Sequence, residues 1–336
     1  MRRSILFLVI APLLGGPLAS AAPCVSATPG CTEWVGFSGG TARSLVYRSF
    51  SLTSKNDRIV RALVVVHGQG RDADNYFRSA LAAGFLADAL EDTLIVAPRF
   101  ASSDGNCKDS LAENEVGWKC SGQSWRSGAP AVSHEALTSY DLMDEILRKL
   151  ARRDVFPALK AIVLTGHSAG GQYVSRYAMS NVVHETLGVP VTYVVSNPSS
   201  YGYPDANRPD AAGKEFGEFR DARNCTTYDR WPYGLAGRVG YAASLGDEQM
   251  RKQLVSRPTV YLLGGLDILP LAGFDSSCPA MAQGPTRLAR GQSFAAYMKE
   301  KYGAQQHTVT QVPLCGHNAR CMYTAEPALG VLFPKE

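Results

Sequence analysis

The sequence of 336 residues contains no long run of basic residues, no internal repeat and no linker-like segment. Its net charge is +4, and two of those charges come from Arg2 and Arg3 near the start. Proteins that bind nucleic acid usually present concentrated positive charge, so we expect no nucleic-acid partner. The length is sufficient to bury one large core or two small ones.

Patterns of metal-binding residues are also missing. Cys-x-x-Cys does not occur and no histidine pair has ligand spacing, so we expect neither a metal nor another cofactor. The eight cysteines are an even set, which in an exported chain indicates disulfides, with metal binding as the weaker alternative. About a hundred pairings are possible. Proximity along the chain favours Cys24–Cys31, Cys107–Cys120, Cys225–Cys278 and Cys315–Cys321.

Only one long apolar run is present, and it lies at the N-terminus. It follows Arg2-Arg3 and ends in the small residues Ala19-Ser20-Ala21, which predicts a secretory signal peptide over residues 1–22. The run is too short for a mature membrane anchor. The proline before Cys24 is unlike the small residue of a lipoprotein signal. We therefore expect a secreted or periplasmic protein without a membrane anchor.

Short β-branched runs alternate with helical spacing along the rest of the chain. This alternation predicts an α/β fold with a mostly parallel central sheet and helices on both faces, in a single domain over residues 23–336. Two polar stretches interrupt the pattern, a surface excursion at 99–132 and a cap-like insertion at about 198–257. The predicted strands are 46–52, 61–67, 93–98, 161–166, 191–195, 259–263 and 307–312. The predicted helices are 75–90, 133–150, 172–179 and 290–301.

The stretch Ala161–Gly171 contains Gly-x-Ser-x-Gly between a predicted strand and a predicted helix. A sharp turn there would strain the backbone of Ser168 and expose its hydroxyl. Gly166 and Gly170 would avoid collisions between a side chain and the neighbouring strand or helix. The Ala169 N–H, at the helix start, would face an oxygen held near Ser168. The alternative, a glycine-rich αβ crossover without function, is less favoured because strand and helix flank the motif.

A serine nucleophile needs a base, and six histidines are available. We assign the base to His317, which lies in a loop after the last strand between Gly316 and Asn318. On an extended strand end His167 should point away from Ser168 to the opposite face. The remaining histidines are predicted to be structural, surface or strand positions, and they are His67, His134, His184 and His307.

The acid that orients the base should lie between nucleophile and base along the chain. Asp267 follows a predicted strand and its Gly264-Gly265 turn, so we assign the acid to it. Asp275 is the nearest alternative and Asp247, which precedes the strand, is a poorer one. An aspartate at such a turn can also simply bond to its own backbone.

The oxyanion that forms when a serine attacks a carbonyl group needs a second N–H besides that of Ala169. The loop His67-Gly-Gln-Gly70 follows an earlier buried strand, where enzymes with this serine motif place that donor. We assign the second donor to the backbone of Gln69, the alternative being a turn that binds nothing.

The motifs His-Gly-x-Gly, Gly-His-Ser-Ala-Gly-Gly, Asp and His occur in an order that resembles the α/β-hydrolase superfamily. The segment Leu63–Asp74 and the leader are most similar to the polyhydroxybutyrate depolymerase and feruloyl esterase group. The resemblance covers roughly residues 46–322 and implies hydrolysis of a small-molecule or polymeric carboxylic ester through an acyl-enzyme, without a metal. Gln69 stands where many depolymerases have cysteine, and no appended substrate-binding domain is visible, so polymer specificity is not implied.

Three other functions remain as alternatives. A serine peptidase on the same fold would need an acidic pair to hold a free amine, and none is visible. A non-catalytic binding protein would not need Ser168, Asp267 and His317. A lipase would need an apolar lid, whereas the insertion is polar; its aromatics either line a pocket for an acyl group or form the core of the insertion. Those aromatics are Tyr201, Tyr203, Trp231 and Tyr233. The sequence predicts no particular oligomeric state.

Overall fold

The structure, a computed structural model, describes residues 22–122, 124–271 and 273–335. The predicted signal peptide therefore lies, except for its last residue, outside the described part of the chain. The strands are β1 (Thr32–Gly36), β2 (Arg43–Arg48), β3 (Arg61–Val66), β4 (Thr93–Pro98), β5 (Ala161–His167), β6 (Val191–Ser196), β7 (Asn207–Pro209), β8 (Phe216–Glu218), β9 (Thr259–Gly264) and β10 (His307–Val312). The helices are α1 (Ala73–Leu86), α2 (Ser139–Leu150), α3 (Ala169–Ser180), α4 (Asp247–Ser256), α5 (Cys278–Met281), α6 (Arg287–Tyr302), α7 (Ala319–Thr324) and α8 (Glu326–Leu332).

Eight strands form one central sheet in the order β1-β2-β4-β3-β5-β6-β9-β10, and β7 pairs with β8 in a separate hairpin. Six neighbouring strands of this sheet pair in parallel, and they are β4, β3, β5, β6, β9 and β10. At one edge β1 and β2 pair antiparallel. The inner strands are buried because helices cover both faces, which explains their nearly continuous apolar sequences. The predicted mostly parallel α/β fold is confirmed.

Alternate side chains of each inner strand enter two separate cores. In β3, Val64 and Val66 pack with α2, α3, α4 and α6 on one face. Leu63 and Val65 pack with α1, α7 and α8 on the other face. The carboxyl ends of the parallel strands meet at one edge of the sheet, where ligand sites of such folds form.

Several elements differ from those predicted. Strand β1 was not predicted, and β2 ends at Arg48 because the Ser49 side chain accepts a hydrogen bond from the Ile95 N–H in place of a backbone partner (2.8 Å). Helix α2 begins at Ser139 instead of near Ser133. Thr138 caps it, accepting from the Asp141 N–H, while the Asp141 carboxylate accepts from the Thr138 N–H. This reciprocal cap fixes the helix start, and His134 precedes it in a loop.

Three aromatic residues of the 198–257 stretch belong to the core. Tyr201 and Tyr203 are fully buried and their rings pack against Phe294 of α6. The indole N–H of Trp231, which is also buried, donates to the Ser127 carbonyl (3.0 Å). Within this stretch α4 packs against α3 and buries its inner side chains. Whether the rest of the stretch acts as a cap stays a prediction.

All eight cysteines are paired, and the pairs are those that proximity along the chain favoured. The disulfides join Cys24 to Cys31, Cys107 to Cys120, Cys225 to Cys278 and Cys315 to Cys321, with Cα–Cα distances of 5.6 to 5.8 Å. Among the helices that the structure describes, none is long and apolar enough to cross a membrane.

Candidate active site

Ser168 occupies the turn between β5 and α3 with φ 59° and ψ −117°, a conformation that a residue with a side chain rarely adopts. Two glycines make this turn possible. A Cβ on Gly166 would lie 2.4 Å from the Gly170 carbonyl, and one on Gly170 would lie 2.3 Å from the Val66 carbonyl oxygen. The helix therefore contacts the strands backbone to backbone, which holds the Ser168 hydroxyl at the strand end.

Three predicted residues from distant parts of the chain meet at this point. The Ser168 hydroxyl donates to His317 Nε2 (2.9 Å), and His317 Nδ1 donates to Asp267 Oδ2 (2.7 Å). The Asp267 side chain is fully buried. In this tautomer His317 Nε2 carries no proton. It can therefore accept the hydroxyl proton of Ser168 while the Asp267 carboxylate holds the imidazole in place.

The two alternative acids lie elsewhere. Asp275 accepts hydrogen bonds from the Tyr233 and Ser277 hydroxyls. Asp247 begins α4 and forms salt bridges with Arg238 and Arg251. The structure places Asp267 alone of the three against His317.

The loop that carries His317 is fastened at several points. Cys315 is joined to Cys321 on α7 by a disulfide. The Asn197 side chain, at the end of β6, donates to the Gly316 carbonyl (3.3 Å) and accepts from the Gly264 N–H (2.8 Å). Sequence reasoning did not single out Asn197. The signal was present, because an asparagine directly after a buried strand often adopts the positive φ found here, 43°.

His167 lies beside His317 and does not point away from it. The two rings are 4.6 Å apart, and the Tyr76 hydroxyl is 3.3 Å from His167 Nδ1. The expectation that His167 faces the opposite side is wrong, because the positive φ of Ser168 breaks the side-chain alternation of the strand. Burial, with smaller contributions from His317 and Arg287, lowers the pKa of His167 well below its ordinary value, so this ring is neutral.

Hydrogen bonds of His67 and Arg71 hold in place the loop that is predicted to supply the oxyanion donor. His67 is buried; its Nδ1 donates to the Gly68 carbonyl (2.8 Å) and its Nε2 accepts from the Phe100 N–H (3.2 Å). Burial lowers the pKa of His67 to about 4, which keeps both bonds intact at neutral pH. The Arg71 guanidinium donates to the Phe100 and Lys119 carbonyls, tying the loop to the 99–132 excursion. The structural role predicted for His67 is confirmed.

A cleft of about 540 Å³ opens at Ser168 and His317. Gln69 lies in its wall, and Ala169 is the first residue of α3, where N–H groups have no partner within the helix. Both predicted donors thus lie beside the serine. Polar side chains form much of the remaining wall, and they are Asp72, Asn75, Ser79, Asn318 and Arg320. In the described ranges no three His, Cys, Asp or Glu residues could together hold a metal ion.

Comparison with known proteins identifies the family of the chain. A profile of the alpha/beta hydrolase family matches residues 63–330. The chain belongs to the alpha/beta hydrolase family. This assignment confirms the predicted fold class, and the matched range includes all the predicted site residues.

Two solved structures of other proteins share this fold. One is LpqC, a poly(3-hydroxybutyrate) depolymerase from Bordetella parapertussis, with 20% identity and a TM-score of 0.60 over 87% of this chain and 84% of that one. The other is poly(aspartic acid) hydrolase-1 from Sphingomonas sp. KT-1, with 19% identity and a TM-score of 0.60 over 87% of this chain and 95% of that one. No curated protein sequence matches the chain significantly.

Proposed function

We propose that this member of the α/β-hydrolase family is a serine esterase that cleaves carboxylic esters through an acyl-enzyme. The observation that carries the proposal is the unbroken hydrogen-bond chain from Ser168 through His317 to Asp267 at a strained strand-to-helix turn. A buried carboxylate, an oriented imidazole and an exposed hydroxyl are the parts that acyl transfer requires.

In the first half of the reaction, Ser168 Oγ attacks the ester carbonyl carbon while His317 Nε2 accepts the hydroxyl proton. The carbonyl oxygen becomes an oxyanion, which the N–H groups of Gln69 and Ala169 stabilise. Donors of this type each contribute about 3–4 kcal/mol to transition-state stability. Asp267 holds the imidazole in the tautomer that can accept this proton and stabilises the imidazolium that forms.

In the second half, the imidazolium donates its proton to the alkoxide as the C–O bond breaks and the alcohol leaves. Water then attacks the acyl-enzyme, with His317 as its base, and the carboxylic acid is released from Ser168. His317 returns the proton taken from water to Ser168 Oγ as the bond to the acyl group breaks, so the enzyme ends in its starting state and one water molecule is consumed.

The lining of the cleft supports a polar substrate. The wall contains charged and amide side chains, and three of the four aromatics that could have formed an acyl pocket, Tyr201, Tyr203 and Trp231, are buried core residues. A small or polymeric ester with polar groups near the scissile bond fits this lining better than a long-chain lipid does. The two structurally similar proteins are named for polymer hydrolysis, which keeps a polymeric ester among the substrates to test.

Four disulfides support export, because such bonds persist in oxidising compartments. Together with the leader pattern at residues 1–22, they favour a secreted or periplasmic enzyme.

A substrate panel tests the proposed function. It comprises p-nitrophenyl esters of increasing acyl length, a feruloyl ester, poly(3-hydroxybutyrate) particles and a peptide anilide, each with the wild-type protein and with S168A. We expect hydrolysis of the shorter p-nitrophenyl esters by the wild type and none by S168A. Preferential cleavage of the anilide would favour a peptidase, and equal rates for both proteins would overturn the assignment of Ser168.

A further inference from the structure

The aspartate of the proposed triad also forms a buried ion pair with an arginine. The Arg287 side chain, in the first turn of α6, is fully buried, and its Nη1 is 3.5 Å from Asp267 Oδ1. The other carboxylate oxygen, Oδ2, accepts the bond from His317. Asp267 therefore bridges an imidazole and a guanidinium, each through a different oxygen.

Arg287 is held in this place by several contacts besides the carboxylate. Its Nε donates to the Ser199 hydroxyl (2.8 Å), and its guanidinium lies over the Phe274 ring (5.2 Å). The N–H of the next residue, Leu288, donates to the Asp267 carbonyl (3.2 Å). The start of α6 is thus bound to Asp267 through both a side chain and the backbone, so the guanidinium cannot easily turn away.

The charged and titratable groups around His317 belong to several different elements. Asp267, after β9, contributes a buried negative charge, and Arg287, on α6, contributes a buried positive charge. His167 at the end of β5 is neutral through burial, and Tyr76 of α1 contacts it. Outside the core, Asp72 and Arg320 line the cleft and carry opposite charges. Arg287 is therefore the buried cation that balances Asp267 near the imidazole.

We propose that Arg287 is a positioning residue that fixes the Asp267 carboxylate and offsets its charge, so that His317 acts as a base at lower pH than an unbalanced aspartate would allow. An aspartate alone would favour the protonated imidazole, which cannot accept the serine proton. The nearby guanidinium opposes that effect. The inference rests on the proposed function, because it assigns Arg287 a part in the same proton transfer.

A purely structural role for Arg287 is the competing explanation, and α6 provides a matched control for it. Arg290 is also buried, and its guanidinium lies over the same Phe274 ring (4.4 Å). It donates to the carbonyls of Ser199 and Asp275. Arg290 bonds to these carbonyls and not to the Asp267 carboxylate, so loss of Arg290 should disturb the local packing without changing the charge balance at the imidazole.

The test is the pH dependence of kcat/KM for p-nitrophenyl acetate in the wild type, R287Q, R287M, R287K and R290M. Removing the positive charge in R287Q or R287M should move the acid limb of the profile upward by about one pH unit. R287K keeps the charge and should retain the wild-type position. R290M should lower the melting temperature but leave the limb in place.

An acid limb that stays at the wild-type pH in folded R287Q and R287M would overturn the inference. A shift of the same size in R290M, or no rescue by R287K, would also overturn it. If both neutral variants failed to fold while R290M folded, the role of Arg287 would be structural. Full activity of S168A would instead overturn the proposed function itself, and this separates the two failures.

Discussion

The two halves of the proposed site are positioned by different means. Ser168 directly precedes α3, in which all twelve residues are buried, and Gly166 and Gly170 bring that helix into backbone contact with the sheet. His317 precedes α7, in which only Met322 and Tyr323 are buried. Its loop is held instead by a disulfide, the Asn197 amide and the Asp267 carboxylate.

This difference indicates how each half should respond to damage. Where α3 contacts the sheet backbone to backbone, the neighbouring atoms cannot move slightly to admit a larger residue. A substitution at this contact should therefore destabilise the whole fold. Separate links can be lost one at a time, so a change near His317 should affect the rate before it affects stability. Small displacements of a reacting group are costly in rate even when the fold persists.

The largest effect should follow from removing the reacting groups of either half. S168A and H317A should each reduce kcat for p-nitrophenyl acetate on the order of a millionfold, since the two groups act as one unit. D267N should cost less, on the order of ten-thousandfold. Circular dichroism and the melting temperature would show that the fold persists. Full activity of D267N together with an inactive D275N would contradict the assignment of the acid.

The close packing at the nucleophile is tested by G170A. The added Cβ would lie 2.3 Å from the Val66 carbonyl oxygen, with no side chain to move aside, so the free energy of unfolding should fall by at least about 4 kcal/mol. G330A is the matched control, because Gly330 is helical and has no neighbour within 4 Å of the added Cβ. It should be neutral or stabilising by about 0.5 kcal/mol. Comparable urea midpoints for the two variants would refute close packing as the cause.

Helix α3, which follows Ser168, also packs against a buried acid, and the charge of this acid should affect the stability of the fold. Asp144 of α2 accepts hydrogen bonds from Tyr177 of α3 and from Tyr241. Burial raises its pKa from 3.8 to about 6, although both hydroxyls oppose that shift. Between these pH values the folded protein keeps a proton that the unfolded chain has lost, so stability should fall as pH rises.

The D144N variant cannot lose that proton and isolates the effect. From pH 4 to pH 7 the free energy of unfolding of the wild type should fall by roughly 2 kcal/mol relative to D144N. Urea unfolding of both proteins at the two pH values measures this difference. Parallel behaviour of the two proteins would show that Asp144 does not carry the charge change.

The smallest expected effect is on kcat and follows from removing the disulfide that holds the His317 loop. C315S/C321S should lower kcat about tenfold, because the His317 loop gains freedom. The Cys24–Cys31 bridge, with a separation of 7 residues against 6, closes a loop of similar size. C24S/C31S should therefore lower the melting temperature by a similar amount and leave kcat unchanged. Equal losses of kcat in both variants would mean that the first bridge has no local role.

The sequence predicted the parts of this site that depend on local patterns. The strand, Gly-x-Ser-x-Gly and helix around Ser168 form a local unit, and the buried strands before Asp267 and His317 bring both residues to the same sheet edge. Disulfide partners close in the chain were also predictable, because short separations leave few alternatives.

Features that depend on distant partners could not be predicted in this way. Arg287 and Arg290 lie in a helix whose sequence suggests a solvent-exposed face, and their burial depends on partners contributed by residues 199, 267, 275 and 284. The position of His167 depends on the turn at Ser168 and not on strand alternation. Helix α2 begins at Ser139, after its Thr138 cap, because Thr138 and Asp141 bond reciprocally, and the sequence pattern did not distinguish this cap from the earlier Ser133.

The central claim is that Ser168 is the nucleophile that becomes acylated, and covalent labelling tests it most directly. A fluorophosphonate probe reacts with serines activated by a neighbouring base, and peptide mapping by mass spectrometry identifies the modified residue. We expect one adduct on the peptide containing Ser168, formed rapidly by the wild type, slowly by H317A and not at all by S168A. An unlabelled wild type, or an adduct on another serine that persists in S168A, would contradict it.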